Sequence, residues 1–150
     1  MRRYLVTTAC LTLAGVALGV GAASGAGDAS TTLTITQRTP QAAALDLGSQ
    51  GPSPGDVLIF RSALFDETNT ERVGSLHITC TQSFGARHVC RGIFVLTGRG
   101  RLSVDALPEF PLPTTGIVNG GTNEFERARG EAHIKPQPDG TTLIKFHLFD

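Results

Sequence analysis

From Thr31 onward, apolar and polar residues alternate in short runs, and turn residues break the runs. A period of two marks strands with one buried face. Thr31 to Arg38 sets Leu33 and Ile35 against Thr34 and Thr36. Further runs cover Asp56 to Phe65, Val73 to Gln82, Arg87 to Thr97, Arg101 to Ala106, Thr115 to Asn119, Phe125 to Lys135 and Thr141 to Phe149. Between them lie Gly48 to Gly55, the turn Gly98-Arg99-Gly100, a connector carrying Pro108, Pro111 and Pro113, and the turn Pro138-Asp139-Gly140. Gln41 to Leu47 has the composition of one helical turn, and no longer helix is predicted. The pattern predicts an all-β chain. Eight antiparallel strands in about 120 residues suit a single closed barrel of lipocalin-like layout. A β-sandwich has the same period and is the competing architecture.

The segment before these runs has a different character. Arg2 and Arg3 precede an uncharged apolar stretch from Tyr4 to Val20, and Ser24-Gly25-Ala26 fits the small-x-small rule for signal peptidase. Residues 1–26 are therefore expected to be a signal peptide, and 27–150 a single exported barrel domain, secreted or extracytoplasmic. A retained membrane anchor is the alternative, at the short edge of spanning length. No second apolar run of that length follows, so no membrane association is expected after cleavage.

Composition then narrows the partners. Losing Arg2 and Arg3 takes two from the 13 basic residues against 13 acidic, a mature charge of about −2. No basic stripe is present, which argues against nucleic acid. Tyr4 is the single tyrosine and leaves with the signal, and the chain has no tryptophan. A site built on a phenol or an indole is thereby excluded.

Cys80 and Cys90 lie on successive runs, with their midpoint at Gly85 in a turn. In an exported chain they are expected to form a disulfide, with a lumen-facing free thiol as the alternative. His77, His88, His133 and His147 show no metal-ligand spacing, so no metal site is expected. With Cys80 opposite Cys90, strand parity sends His77 and His88 to opposite faces.

Three blocks carry a family resemblance. Gly55-Asp56-Val57-Leu58-Ile59-Phe60-Arg61-Ser62-Ala63-Leu64-Phe65 is similar to a G-D-x-x-x-F-x-x-x-L-[FY] run. Val73-Gly74 is followed by Cys80. Gly120-Gly121-Thr122-Asn123-Glu124-Phe125-Glu126-Arg127-Ala128-Arg129-Gly130 resembles a G-G-T-G-x-[FY]-x-x-A-R-G block. Together they resemble the allene oxide cyclase and dirigent barrels. In physical terms Gly120 and Gly121 are expected at φ > 0, with Asn123 as a tolerant substitute for glycine. Thr122 lies between them. Phe125 is expected to plug one end of the core, and Gly130 to make room for a crossing strand or bulge. Arg129 either pairs with a carboxylate or offers a cation to a ligand.

The resemblance implies an eight-stranded barrel, commonly a homotrimer, that holds a hydrophobic small molecule and needs neither metal nor organic cofactor. The sequence departs from both families at the chemical positions. Thr34 and Thr36 stand where the cyclases alternate a glutamate and an asparagine. A threonine hydroxyl is no general base near neutral pH without an activator. The polar groups proposed to reach the lumen are Thr34, Thr36, Ser62 and Arg129. Three functions follow: a secreted module binding an apolar small molecule, a cofactor-independent cyclase or isomerase acting by confinement, or a filled structural barrel.

Overall fold

The computed structural model describes residues 30–85, 87–108 and 113–149. The signal segment expected at 1–26 lies outside them, as do Ala86 of the hairpin turn and Pro111 of the connector. Eight strands run β1 (Ser30–Leu45), β2 (Val57–Phe65), β3 (Arg72–Gln82), β4 (His88–Leu96), β5 (Gly100–Ala106), β6 (Thr114–Asn123), β7 (Arg129–Pro136) and β8 (Thr142–Phe149). Each pairs antiparallel with the next and β8 closes on β1, which decides for barrel over sandwich.

Closure depends on the length of β1. Its first half pairs with β8, from Ser30↔Phe149 to Gln37↔Thr142. Its second half pairs with β2, from Thr36↔Phe65 to Leu45↔Val57. Serving two neighbours in offset halves supplies the stagger that a closed barrel needs. The helical turn expected from Gln41 is instead strand: Ala42, Ala43 and Ala44 face Phe60, Ile59 and Leu58. Ladder pairing satisfies backbone groups that an isolated helical turn leaves open. Register slips between Arg38 and Gln41. Pro40 occupies that slip, where its missing N–H interrupts no ladder bond.

Two further boundaries differ from the sequence pattern. Strand β6 runs on through Gly120 and Gly121 to Asn123, because Ser103 pairs with Gly120 and Val104 with Val118, leaving Asn119 as a bulge. Phe125 to Ala128 is turn rather than strand. Phe125 N donates to Thr122 O at 3.1 Å and Ala128 N to Phe125 O at 3.1 Å. Gly120 and Gly130 have φ of 144° and 139°, and Asn123 sits at 56°, the left-handed region. Gly121 has no positive φ. It is required because an added Cβ would overlap the Arg101 carbonyl oxygen and crowd Phe125. Thr122 contributes its hydroxyl, which accepts from Arg101 N at 3.1 Å.

Alternate residues of each strand point inward. At the end of the barrel carrying the β2–β3, β4–β5 and β6–β7 connections, the interior is filled. Leu33, Ile35, Leu64, Leu96, Leu102, Phe146 and Leu148 pack there, and Phe125 and Ala128 fold in from the β6–β7 turn as the expected plug. Burying each of the larger side chains stabilises by about 1.5–3 kcal/mol. Phe94 meets Phe146 edge to face, ring centroids 5.0 Å apart, and forms the upper surface of this plug.

Candidate functional site

Above Phe94 the lumen is empty. A cavity of about 220 Å3 extends toward the end of the barrel that carries the β1–β2, β3–β4, β5–β6 and β7–β8 connections. Leu76, Phe94 and Ile144 form its floor. Phe60, Ile78, Cys80, Cys90, Gly92, Val104, Ala106 and Ile134 form its wall. Gln37, Pro40, Pro108, Thr114 and Thr142 lie toward its rim. None of these residues carries an ionisable side chain, since the two cysteines are bonded to each other.

The local sequence explains the cavity. Register sets Leu58↔Cys80, Phe60↔Ile78 and Ser62↔Leu76 on the inward face, followed by Cys80↔Cys90, Ile78↔Gly92 and Cys90↔Ala106. Gly92 and Ala106 are small where Phe94, Leu96 and Leu102 nearer the plug are large. A Cβ at Gly92 would sit at ordinary contact distance from Leu76 Cδ1 (3.5 Å), Phe94 Cε2 (3.6 Å) and Ile78 Cγ1 (3.8 Å). The space at Gly92 is therefore usable room that the chain leaves unfilled. The disulfide, with 4.0 Å between the Cα atoms, pins β3 to β4 at this level and presents its sulfurs to the lumen. His77 faces outward opposite Ile93, whereas His88 lies on the inward side opposite Gln82, as parity requires.

The four residues proposed for the lumen divide. Ser62 faces inward and is 4% exposed. It does not line the cavity itself, but its Oγ accepts a hydrogen bond from Gln37 Nε2 at 2.8 Å, and Gln37 does line it. Thr34 and Thr36 face outward, because Leu33, Ile35 and Gln37 take the inward positions opposite Phe146, Ile144 and Thr142. Thr36 is nonetheless buried, beside its register partner Phe65. Thr34 borders a separate hollow of about 290 Å3 at the plugged end, lined by Asp66, Glu67, Glu71, Arg72 and Arg99 among others. Arg129 is exposed on the outer face opposite Phe149, and no carboxylate among the described residues pairs with it. Gln37 was missed, yet its signal was present: the apolar positions 33 and 35 extend to 37 on the same face.

Charge is kept out of the cavity lining, although Asp56 is buried in the β1–β2 connection. Arg91 donates to Asp105 through Nε (2.8 Å) and Nη2 (3.1 Å) on the outer surface. The hydrogen bond from Arg91 holds the Asp105 carboxyl below its ordinary range, and Arg99 does the same for Glu124. Arg38 stacks on Phe65, 3.8 Å from the ring centre, and donates to Asn69 Oδ1. Asp66 is lowered to about 2, first by the Thr68 hydroxyl and then by the backbone N–H groups of Glu71 and Thr70. Among the described residues no group of His, Cys, Asp and Glu side chains is arranged to hold a metal.

No family model matches the chain, and no curated protein does. Solved structures do match. A pyocyanin demethylase aligns at 23% identity with a TM-score of 0.64, over 80% of this chain and 99% of that one. A pterocarpan synthase dirigent protein aligns at 18% identity and 0.61, over 95% and 97%. An exo-specific intermolecular Diels-Alderase aligns at 12% identity and 0.56, over 83% and 99%. At these identities the likeness is one of fold. The chain is built on the eight-stranded barrel that dirigent proteins and cyclases share, as its motif blocks imply.

Proposed function

We propose that this protein is an exported barrel that binds an apolar small molecule in its lumen. The observation that carries the reading is the cavity of about 220 Å3 whose lining has no ionisable group. An apolar cavity of 150 Å3 stays dry and takes up benzene; this one is about half as large again and opens at its rim, room for a bicyclic ring body with a substituent at the mouth. A long acyl chain exceeds that volume. The half-empty lumen also counts against the filled structural barrel.

The disulfide and the absence, among the described residues, of a helix able to cross a membrane are compatible with export. Residues 1–26 would supply the signal. Native mass spectrometry of protein purified from its source tests the reading directly. The expected result is a chain beginning near Gly27 with a retained ligand, and it also reports whether the homotrimer implied by the resemblance forms. Ligand-free protein showing no thermal shift across a lipid and phenolic panel overturns the binding reading.

A second reading has its own support. A [4 + 2] cycloaddition needs no proton transfer, so confinement alone can favour it. A cavity without acid or base fits such a reaction better than one needing a general base. The check is product stereochemistry: a diene and dienophile tethered within one bicyclic-sized substrate should close with a selectivity not seen in buffer. Equal product ratios with and without protein remove this reading.

A further inference from the structure

We propose that the ligand is an uncharged ring compound that carries one hydrogen-bond donor and is oriented through it by Gln37. This rests on the binding reading above and specifies its ligand class. The cavity wall is divided by strand. Strands β2 to β5 contribute carbon and sulfur surface, including Phe60, Ile78, the disulfide and Val104. The polar side chains all come from the opposite arc: Thr114 from β6, Thr142 from β8 and Gln37 from β1.

Gln37 and Thr142 are register partners, so their side chains are neighbours on the inward face. The Gln37 amide is fixed by donating Nε2–H to the Ser62 hydroxyl at 2.8 Å. Gln37 lines the cavity, and its Oε1 takes no donor among the described residues. A ligand hydroxyl or ring N–H meeting that oxygen replaces a hydrogen bond that water otherwise makes. A ligand entering without a donor leaves the acceptor unsatisfied. A carboxylate finds no cation in the lining, and burying it uncompensated is strongly unfavourable. Affinity would come from the ring body against the apolar wall, and orientation from the polar arc.

The test uses three probes on one ring body, the first two matched in shape: 1-naphthol, 1-methylnaphthalene and 1-naphthoate, titrated into the full mature protein by calorimetry. The expected order is 1-naphthol about three- to tenfold tighter than 1-methylnaphthalene. 1-Naphthoate is expected at least about tenfold weaker than 1-naphthol. The double variant Gln37→Met with Ser62→Ala removes both partners of the hydrogen bond and is expected to abolish the preference for naphthol over methylnaphthalene. Thr142→Val, of equal shape, provides a second readout and is expected to reduce the same preference. Equal binding of 1-naphthol and 1-methylnaphthalene, or a preference that survives both variants, overturns the role of Gln37 and leaves the lumen as a binding site. Binding of none of the three overturns the lumen as a binding site as well.

Discussion

Replacing Gly92 by alanine should raise stability and weaken binding at once. A glycine in a strand interior is less stable than alanine by roughly 0.5–1 kcal/mol, because the unfolded chain loses more freedom. Gly92 is not among the residues of positive φ, so alanine enters without backbone strain. Its methyl would touch Leu76, Phe94 and Ile78 at 3.5 to 3.8 Å, ordinary contact rather than overlap. Full burial of such a group is worth about 0.8 kcal/mol. The methyl has neighbours on one side and cavity on the other, so about half of that is a fair share. The sum is about 1 kcal/mol, which for a domain of this size is a rise in Tm of about 4 °C. The same methyl stands in the ligand's volume, and naphthol affinity should fall at least tenfold. Differential scanning calorimetry and titration on the one variant give both numbers. A lower Tm would refute the reading of Gly92 as unfilled room. A raised Tm with unchanged affinity would show that the ligand does not occupy the lumen at this level.

Other perturbations have definite signs. Gly130→Ala combines a φ of 139° with overlap of its Cβ on the His147 carbonyl oxygen, so it should lose about 3 kcal/mol or more in urea unfolding; a change below 1 kcal/mol speaks against a close β7–β8 approach. Cys80 and Cys90 are 10 apart in sequence, and Cys80→Ala with Cys90→Ala should lower unfolding free energy by about 3 kcal/mol by chain entropy. An undiminished midpoint would mean that the β3–β4 hairpin holds itself. Asp66, lowered from 3.8 to about 2, contributes stability that is complete above about pH 4 and lost as pH falls toward 2, because the unfolded chain takes up the proton first. Asp66→Asn should flatten that part of the acid-unfolding curve, and an unchanged slope removes the assignment.

Strand number and order were legible because period-two alternation and Gly, Pro and Asp turns are local signals. The Gly120 to Gly130 block was legible in part. Asn123 and Gly130 do occupy positions where backbone geometry restricts the residue, but Gly121 is dictated by the approach of Arg101, a contact distant in sequence. The extent of β1 was hidden, since Ala42 to Ala44 are strand only through pairing with β2. The site was harder still. Motif position points Thr34 and Thr36 to the lumen, whereas the face each residue takes is fixed by register with β8, and a one-residue difference reverses it. That the lumen is filled at Phe146 and empty at Gly92 depends on how volumes from all eight strands meet, which a linear pattern does not encode.

The division of the barrel into a packed half and an empty half has a consequence for how the protein can change over time. Most side chains that hold the fold, such as Leu64, Leu102 and Phe146, sit below Phe94 and do not line the cavity. Half of the residues that line the cavity, Gln37, Phe60 and Thr142 among them, are not fully buried. Mutation can therefore explore one set while selection for folding acts on the other. Such a scaffold can shift between ligands by single substitutions near its rim, without passing through variants that fail to fold.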